Sequence, residues 1–95
     1  MNFEWDDNKN QSNLEKHGIS FEEAALIFEG VTLSRIDDRK DYGETRTITI
    51  GKIARLVVVT VVHTDRNGNI RIISARSAKQ LERKEYDDHC AQIFE

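Results

Sequence analysis

Apolar positions alternate at the start of the chain, recur every three or four residues through the next stretch, and alternate again from residue 31 onward. Phe3-Glu4-Trp5 carries aromatics on alternate positions, which predicts a short edge strand with Phe3 and Trp5 facing the core. Asp6 or Asp7 offers an N-cap, and Lys9 to His17 follows as a polar helix with Leu14 as its clearest core contact. Gly18 is free to adopt the left-handed conformation that ends a helix. Ser20 with Glu23 three residues later is a capping box. The helix it opens carries Phe21, Ala24, Ala25 and Phe28 on one stripe, widened by Leu26 and Ile27, and Gly30 closes it.

Four strands are expected next. Val31 to Ile36 is the first, and Asp37 to Glu44 is a charged loop containing Gly43. Arg46 to Ile50 sets Arg46, Ile48 and Ile50 on one side and Thr45, Thr47 and Thr49 on the other, as in an antiparallel strand with one wet face. Gly51 and Lys52 are expected to begin a turn. Leu56 to Val62 is almost wholly apolar and fits a central strand covered on both faces. Asn67-Gly68, within the turn Asp65 to Gly68, is a hairpin signal that leads to a strand from Ile70 to Arg76. Ser77 with Gln80 three residues on has capping-box spacing and starts a last helix, about Ala78 to Cys90. Ile93 and Phe94 either extend its apolar stripe or dock as a tail. The expectation is an α+β fold: a mainly antiparallel four-stranded sheet plus the short N-terminal strand, two N-terminal helices and a C-terminal helix.

Composition narrows this picture. Ninety-five residues, 38% apolar and 33% charged, suit one domain over 1–95 with a thin core. No apolar run approaches the roughly 20 residues of a membrane helix, and the acidic, aromatic start resembles no signal peptide, so a cytoplasmic protein with no membrane partner is expected. Cys90 is alone, which excludes an internal disulfide and Cys-based zinc spacings. His17, His63 and His89 have no ligand spacing, and the Asp pairs at 6–7, 37–38 and 87–88 suit caps or turns, so no metal and no cofactor is expected.

Charge is unevenly spread. Residues 1–44 carry 5 cations against 11 anions, and residues 45–95 carry 9 against 6, so the net of −3 conceals a basic second half. Between His63 and Tyr86 stand Arg66, Arg71, Arg76, Lys79, Arg83 and Lys84, opposed only by Asp65, Glu82 and Glu85. Such an excess on a strand–helix corner is where contact with phosphate or another anion is expected.

Two blocks of residues resemble one family. The first is Phe3-Glu4-Trp5-Asp6, Lys9, Asn13, Lys16-His17-Gly18 and Phe21-Glu22-Glu23-Ala24. The second is Arg46, Ile50-Gly51, Arg55, His63-Thr64, Arg66, the run Ile70 to Arg76, Ala78, Glu82-Arg83 and Tyr86. Together, in this order, they resemble the BrnT toxins of bacterial type II toxin–antitoxin pairs. The resemblance implies a RelE-like fold and a ribonuclease activity that halts translation. It also implies a ribbon-helix-helix antitoxin, BrnA, that masks the toxin, represses the shared operon, and brings two toxins onto one antitoxin dimer as a heterotetramer. DNA is then contacted only through the antitoxin. The chain departs from the often basic RelE-type toxins in being acidic before residue 45, so RNA is expected to approach only the second half.

Metal-independent RNA cleavage needs a proton acceptor for the 2′-hydroxyl, cations for the charge that develops on phosphorus, and an acid for the leaving oxygen. Arg71 and Arg76 are candidate phosphate clamps, set against a structural ion pair with Glu82 or an N-terminal carboxylate. Strict alternation puts them on opposite faces unless a twist or bulge intervenes. His63 is the candidate acid or base, set against a histidine that caps a strand end. Lys79 and Arg83, four apart on the last helix, Arg66, and Tyr86 are candidate RNA contacts, although a tyrosine at that position more often packs on the sheet. The competing reading is a non-catalytic binding module, or a degenerate toxin, whose basic residues serve only a partner interface.

Overall fold

The computed structural model of the chain describes residues 1–94. The elements are β1 (Phe3–Glu4), α1 (Asp7–His17), α2 (Phe21–Ala24), a 3-10 turn (Ala25–Glu29), β2 (Leu33–Asp37), β3 (Arg46–Ala54), β4 (Val57–Arg66), β5 (Asn69–Ser77) and α3 (Gln80–Ile93). They form the expected α+β fold around one five-stranded sheet in the order β1-β5-β4-β3-β2. The meander β2 to β5 is antiparallel, and β1 adds to β5 in parallel, with Phe3 opposite Ile70 and Glu4 opposite Arg71. β4 is the central strand, in keeping with its apolar run.

Local signals place most boundaries. Asp6 caps α1 by accepting from the Lys9 N–H at 3.0 Å, and Gly18 ends it at φ 72°. The Ser20 hydroxyl accepts from the Glu23 N–H, and the Glu23 carboxylate accepts from the Ser20 N–H, both at 3.1 Å. Asn67 and Gly68, at φ 54° and 83°, make the tight hairpin between β4 and β5.

The two faces of the sheet hold separate clusters. On one, α1, α2 and the 3-10 turn cover Val59, Val61, Ile72 and Ala75, and Phe3, Trp5 and Phe28 close the margin. On the other, α3 lays Tyr86 and Cys90 against Ile50, Val58 and Leu33.

Several expectations are corrected. Leu14 is 41% exposed, and the buried residue of α1 is Asn13. Its amide donates to the Ala75 carbonyl at 2.8 Å and the Ile19 carbonyl at 2.9 Å, and accepts from the Ala75 N–H at 3.1 Å. β1 pairs with β5 only at Ile70 and Arg71, so the edge of β5 lacks a strand at Ala75, and Asn13 supplies the bonds a strand would give. The second helix is α-helical for one turn and then 3-10, which seats Ile27 over Gly51, where a Cβ would stand 2.6 Å from the Ile27 Cβ. Gly51 and Lys52 therefore do not turn, and β3 runs on to Ala54. The threonine side of β3 is not a wet face: Thr49 is buried, its hydroxyl 2.7 Å from both the Ser34 hydroxyl and His63 Nε2. Ser77 is still paired with Val59, so it does not cap the last helix. Lys79 is the N-cap, and the Glu82 carboxylate accepts its N–H at 2.8 Å.

Candidate nucleic-acid interface

A bulge decides where the arginines stand. Between β4 and β5, Val62 faces Ser74 but His63 faces Ile72, so Ile73 is an extra residue in β5. Thr60 and Thr64, four apart on an unbroken β4, share a face of the sheet. Their partners Arg76 and Arg71 therefore share it too. It is the face that α3 packs on, because Thr60 donates to Glu82 of α3 at 3.2 Å. About 13 Å of strand separates the two rows, at roughly 3.3 Å per residue.

α3 covers one end of this face and leaves the other open of helix; there Arg46, Arg71 and Glu4 are half-buried, and Asp37, Ile48 and Thr64 are buried. Following the register across the open end, Asp37 of β2 faces Arg46 of β3, Thr64 of β4 faces Arg71 of β5, and Arg71 faces Glu4 of β1. Thr47 faces His63, so Arg46 falls beside Thr64 and one row crosses all five strands. Arg35, exposed, lies one row further in with Ile48 and Val62.

Carboxylates meet the arginines of this face. Arg71 donates to Glu4 at 2.9 Å. Arg76 donates through both terminal nitrogens to Glu82, at 2.7 and 2.9 Å. The Arg76 fork, helped by the Lys79 N–H and the Thr60 hydroxyl, holds the Glu82 carboxyl down at about 2. Arg46 lies 3.7 Å from Glu44, which also meets Arg66 at 3.4 Å. The Arg46 guanidinium stacks on the Tyr42 ring, 3.9 Å from its centroid. Asp37 is buried and accepts from Arg39 Nε and a terminal nitrogen, both at 2.8 Å, and from the Tyr42 hydroxyl at 3.1 Å. The Arg39 bonds hold its carboxyl well below the usual carboxylate range.

The remaining candidates are elsewhere. His63 stands on the opposite face, edge-on to Phe28 with 5.1 Å between ring centroids, and burial pushes its imidazole below the ordinary value. His63 lies inside β4, paired on both sides, and so does not cap a strand end as expected, and the thickness of the sheet separates it from the arginines. Tyr86 is 2% exposed and donates its hydroxyl to the Val31 carbonyl at 2.8 Å, so its ring packs on the sheet and is closed to base stacking. Burial raises its hydroxyl to about 12. Lys79 is exposed at the start of α3, and Arg83 donates to the Leu56 carbonyl at 3.3 Å, beside the β3–β4 turn and away from the open end. Among the described residues, no three His, Cys, Asp or Glu side chains gather as metal ligands, and no helix is long and apolar enough to cross a membrane.

Sequence reasoning missed Arg46 and its supports Tyr42 and Asp37 as parts of a site. Alternation already put Arg46 on the Ile50 side of β3, but only the register sets it in a row with Arg71.

No curated protein matches the chain. A crystal structure of the ribonuclease toxin BrnT from Brucella abortus matches with a TM-score of 0.62 and 26% sequence identity, over 84% of this chain and 99% of that one. The family model described as "Ribonuclease toxin, BrnT, of type II toxin-antitoxin system" matches residues 5–82, a span that contains every element from α1 to the start of α3. The chain belongs to the BrnT family of type II toxin–antitoxin ribonuclease toxins.

Proposed function

We propose that this chain is an endoribonuclease that halts translation, cleaving RNA without a metal ion on the open half of the α3-side sheet face. The observation that carries the reading is the bulge at Ile73, which brings Arg71 and Arg76 to one face. In the reaction the RNA 2′-oxygen attacks the adjacent phosphorus, its proton passes to a base, and the 5′-oxygen leaves with a proton. The products are a 2′,3′-cyclic phosphate and a 5′-hydroxyl. Arg71 gives one terminal nitrogen to Glu4, which leaves other donors of its fork for a phosphate. Arg76 is more fully engaged, so Arg71 is the principal clamp. The Glu4 carboxylate beside Arg71 is the nearest proton acceptor to a phosphate held there. Arg66, two residues past Thr64 on the same strand, is an outer RNA contact at this end.

In this reading the chain works in the cytoplasm and is neutralised by a BrnA-like ribbon-helix-helix antitoxin, with two toxins on one antitoxin dimer. That partner alone carries the assembly to DNA. The test is expression without the antitoxin, together with RNA cleavage by the purified chain in chelator. Growth arrest that Arg71→Ala relieves, with cyclic phosphate ends, is expected. Cleavage that needs a divalent ion, or that leaves 5′-phosphates, would overturn the mechanism.

The carboxylates paired with Arg71, Arg76 and Arg46 favour a second reading, a module whose charged face only binds its antitoxin. Harmless expression and intact RNA, with antitoxin binding preserved, would establish it.

A further inference from the structure

We propose that Arg46 is a second phosphate-binding residue of this face, acting with Arg71 across Thr64, and that the Tyr42 ring positions it. The inference rests on the RNA-cleaving reading and names a contact beyond it.

Three observations carry it. Arg46 and Arg71 flank Thr64, two strand spacings or about 10 Å apart at the backbone. Thr64 is small and buried between two longer side chains, and its hydroxyl donates away to the Thr45 carbonyl at 2.7 Å, so it does not compete with them for a ligand. Arg46 Nε is the one buried side-chain nitrogen or oxygen without a hydrogen-bond partner among the described residues. Glu44 at 3.7 Å is beyond hydrogen-bond reach of it and is shared with Arg66. A buried donor left open is unfavourable, and an anionic phosphate oxygen is the acceptor that relieves it best.

The surroundings hold the guanidinium ready. Tyr42 stacks on it at 3.9 Å, and the Tyr42 hydroxyl is tied to Asp37, itself gripped by Arg39. The Nε–H bond lies in the plane of the guanidinium, so a group held over the ring presents that donor at its edge and not into the ring. A single-stranded RNA crossing the open end would then meet two guanidinium forks on one lateral row.

The experiment follows arginine Nε–H resonances by NMR in the full chain during titration with a short 2′-deoxy oligonucleotide, which binds but cannot be cleaved. The Arg46 and Arg71 resonances are expected to shift together and saturate at one Kd. Arg46→Ala should weaken binding roughly tenfold at low salt and reduce the magnitude of the salt slope by about 0.7, the single-strand value for one lost phosphate contact. Arg46→Lys should restore the slope, and Tyr42→Phe, which keeps the stack, should bind better than Tyr42→Leu. An Arg46 resonance that stays still while Arg71 moves would overturn the inference and leave the nuclease reading standing. Shifts at both arginines in a chain that leaves RNA whole would support the contact and overturn the nuclease reading. Two still arginines would overturn the contact and the Arg71 clamp alike. Because the resonances are those of the unaltered chain, the result stands even where a variant fails to fold.

Discussion

Replacing Glu82 with Gln tests the electrostatic anchor beneath α3. The carboxylate accepts four bonds: two from Arg76, one from the Lys79 N–H and one from the Thr60 hydroxyl. Its carboxyl falls from 4.5 to about 2, and the residue is 7% exposed. At about 1.4 kcal/mol per unit, this drop corresponds to about 3 kcal/mol of stability at neutral pH, on the order of a third of what a small domain has. The carboxyl titrates lower in the folded chain than in the unfolded one. Its contribution is therefore complete above pH 4.5 and disappears as pH falls through about 2. By pH 3 only about 1.4 kcal/mol should remain. Urea unfolding of the two proteins between pH 3 and pH 7 measures the difference. Glu82→Gln should cost about 3 kcal/mol at pH 7, and the gap should narrow by about 2 kcal/mol at pH 3. A gap that stays constant with pH would show that shape and hydrogen bonding, not charge, hold α3 at this point.

Asn13→Ala leaves the Ala75 N–H and carbonyl open at the edge of β5 and should destabilise the chain by about 2–4 kcal/mol, with faster amide exchange at Ala75 than at Val61. Gly51→Ala drives a methyl to 2.6 Å from the Ile27 Cβ and should cost about 1–3 kcal/mol, read as a lower midpoint in thermal unfolding. His63→Gln should keep RNA cleavage within a few-fold, since the residue lies on the face away from the arginines. Burial lowers the His63 imidazole below 6.5, so the wild type alone should lose a component of stability as pH falls below 6.5 toward the folded value, visible in the difference between their unfolding midpoints.

Short-range features were legible in the sequence. Asp6, Gly18, the Ser20–Glu23 box and Asn67-Gly68 act on backbone groups within four residues, so their consequences do not depend on the rest of the fold. The apolar run of β4 marked the central strand for a similar reason: only a strand covered on both faces needs it. Legibility failed where a residue serves a distant partner. Asn13 looked like one polar residue among many in α1, with Leu14 beside it the obvious core residue, because its three bonds end on Ile19 and on Ala75, 62 positions away. Ser77 had the spacing of a cap but was held in the sheet by Val59, and the Glu82 carboxylate moved the helix start to Lys79.

The candidate site divides along the same line. The residue pattern alone set out the α+β order of elements, the excess of cations after residue 45 and the family to which the chain belongs. It left open whether Arg71 and Arg76 share a surface, since alternation argues against it and a bulge reverses the answer. Register also decided that His63 faces Phe28 while Arg46 stands in the row of Arg71. Strand pairing is chosen by the packing of both faces at once, and one extra residue in β5 turns its side chains over. That choice has no local signature, so the folded sheet alone assembles the arginine face.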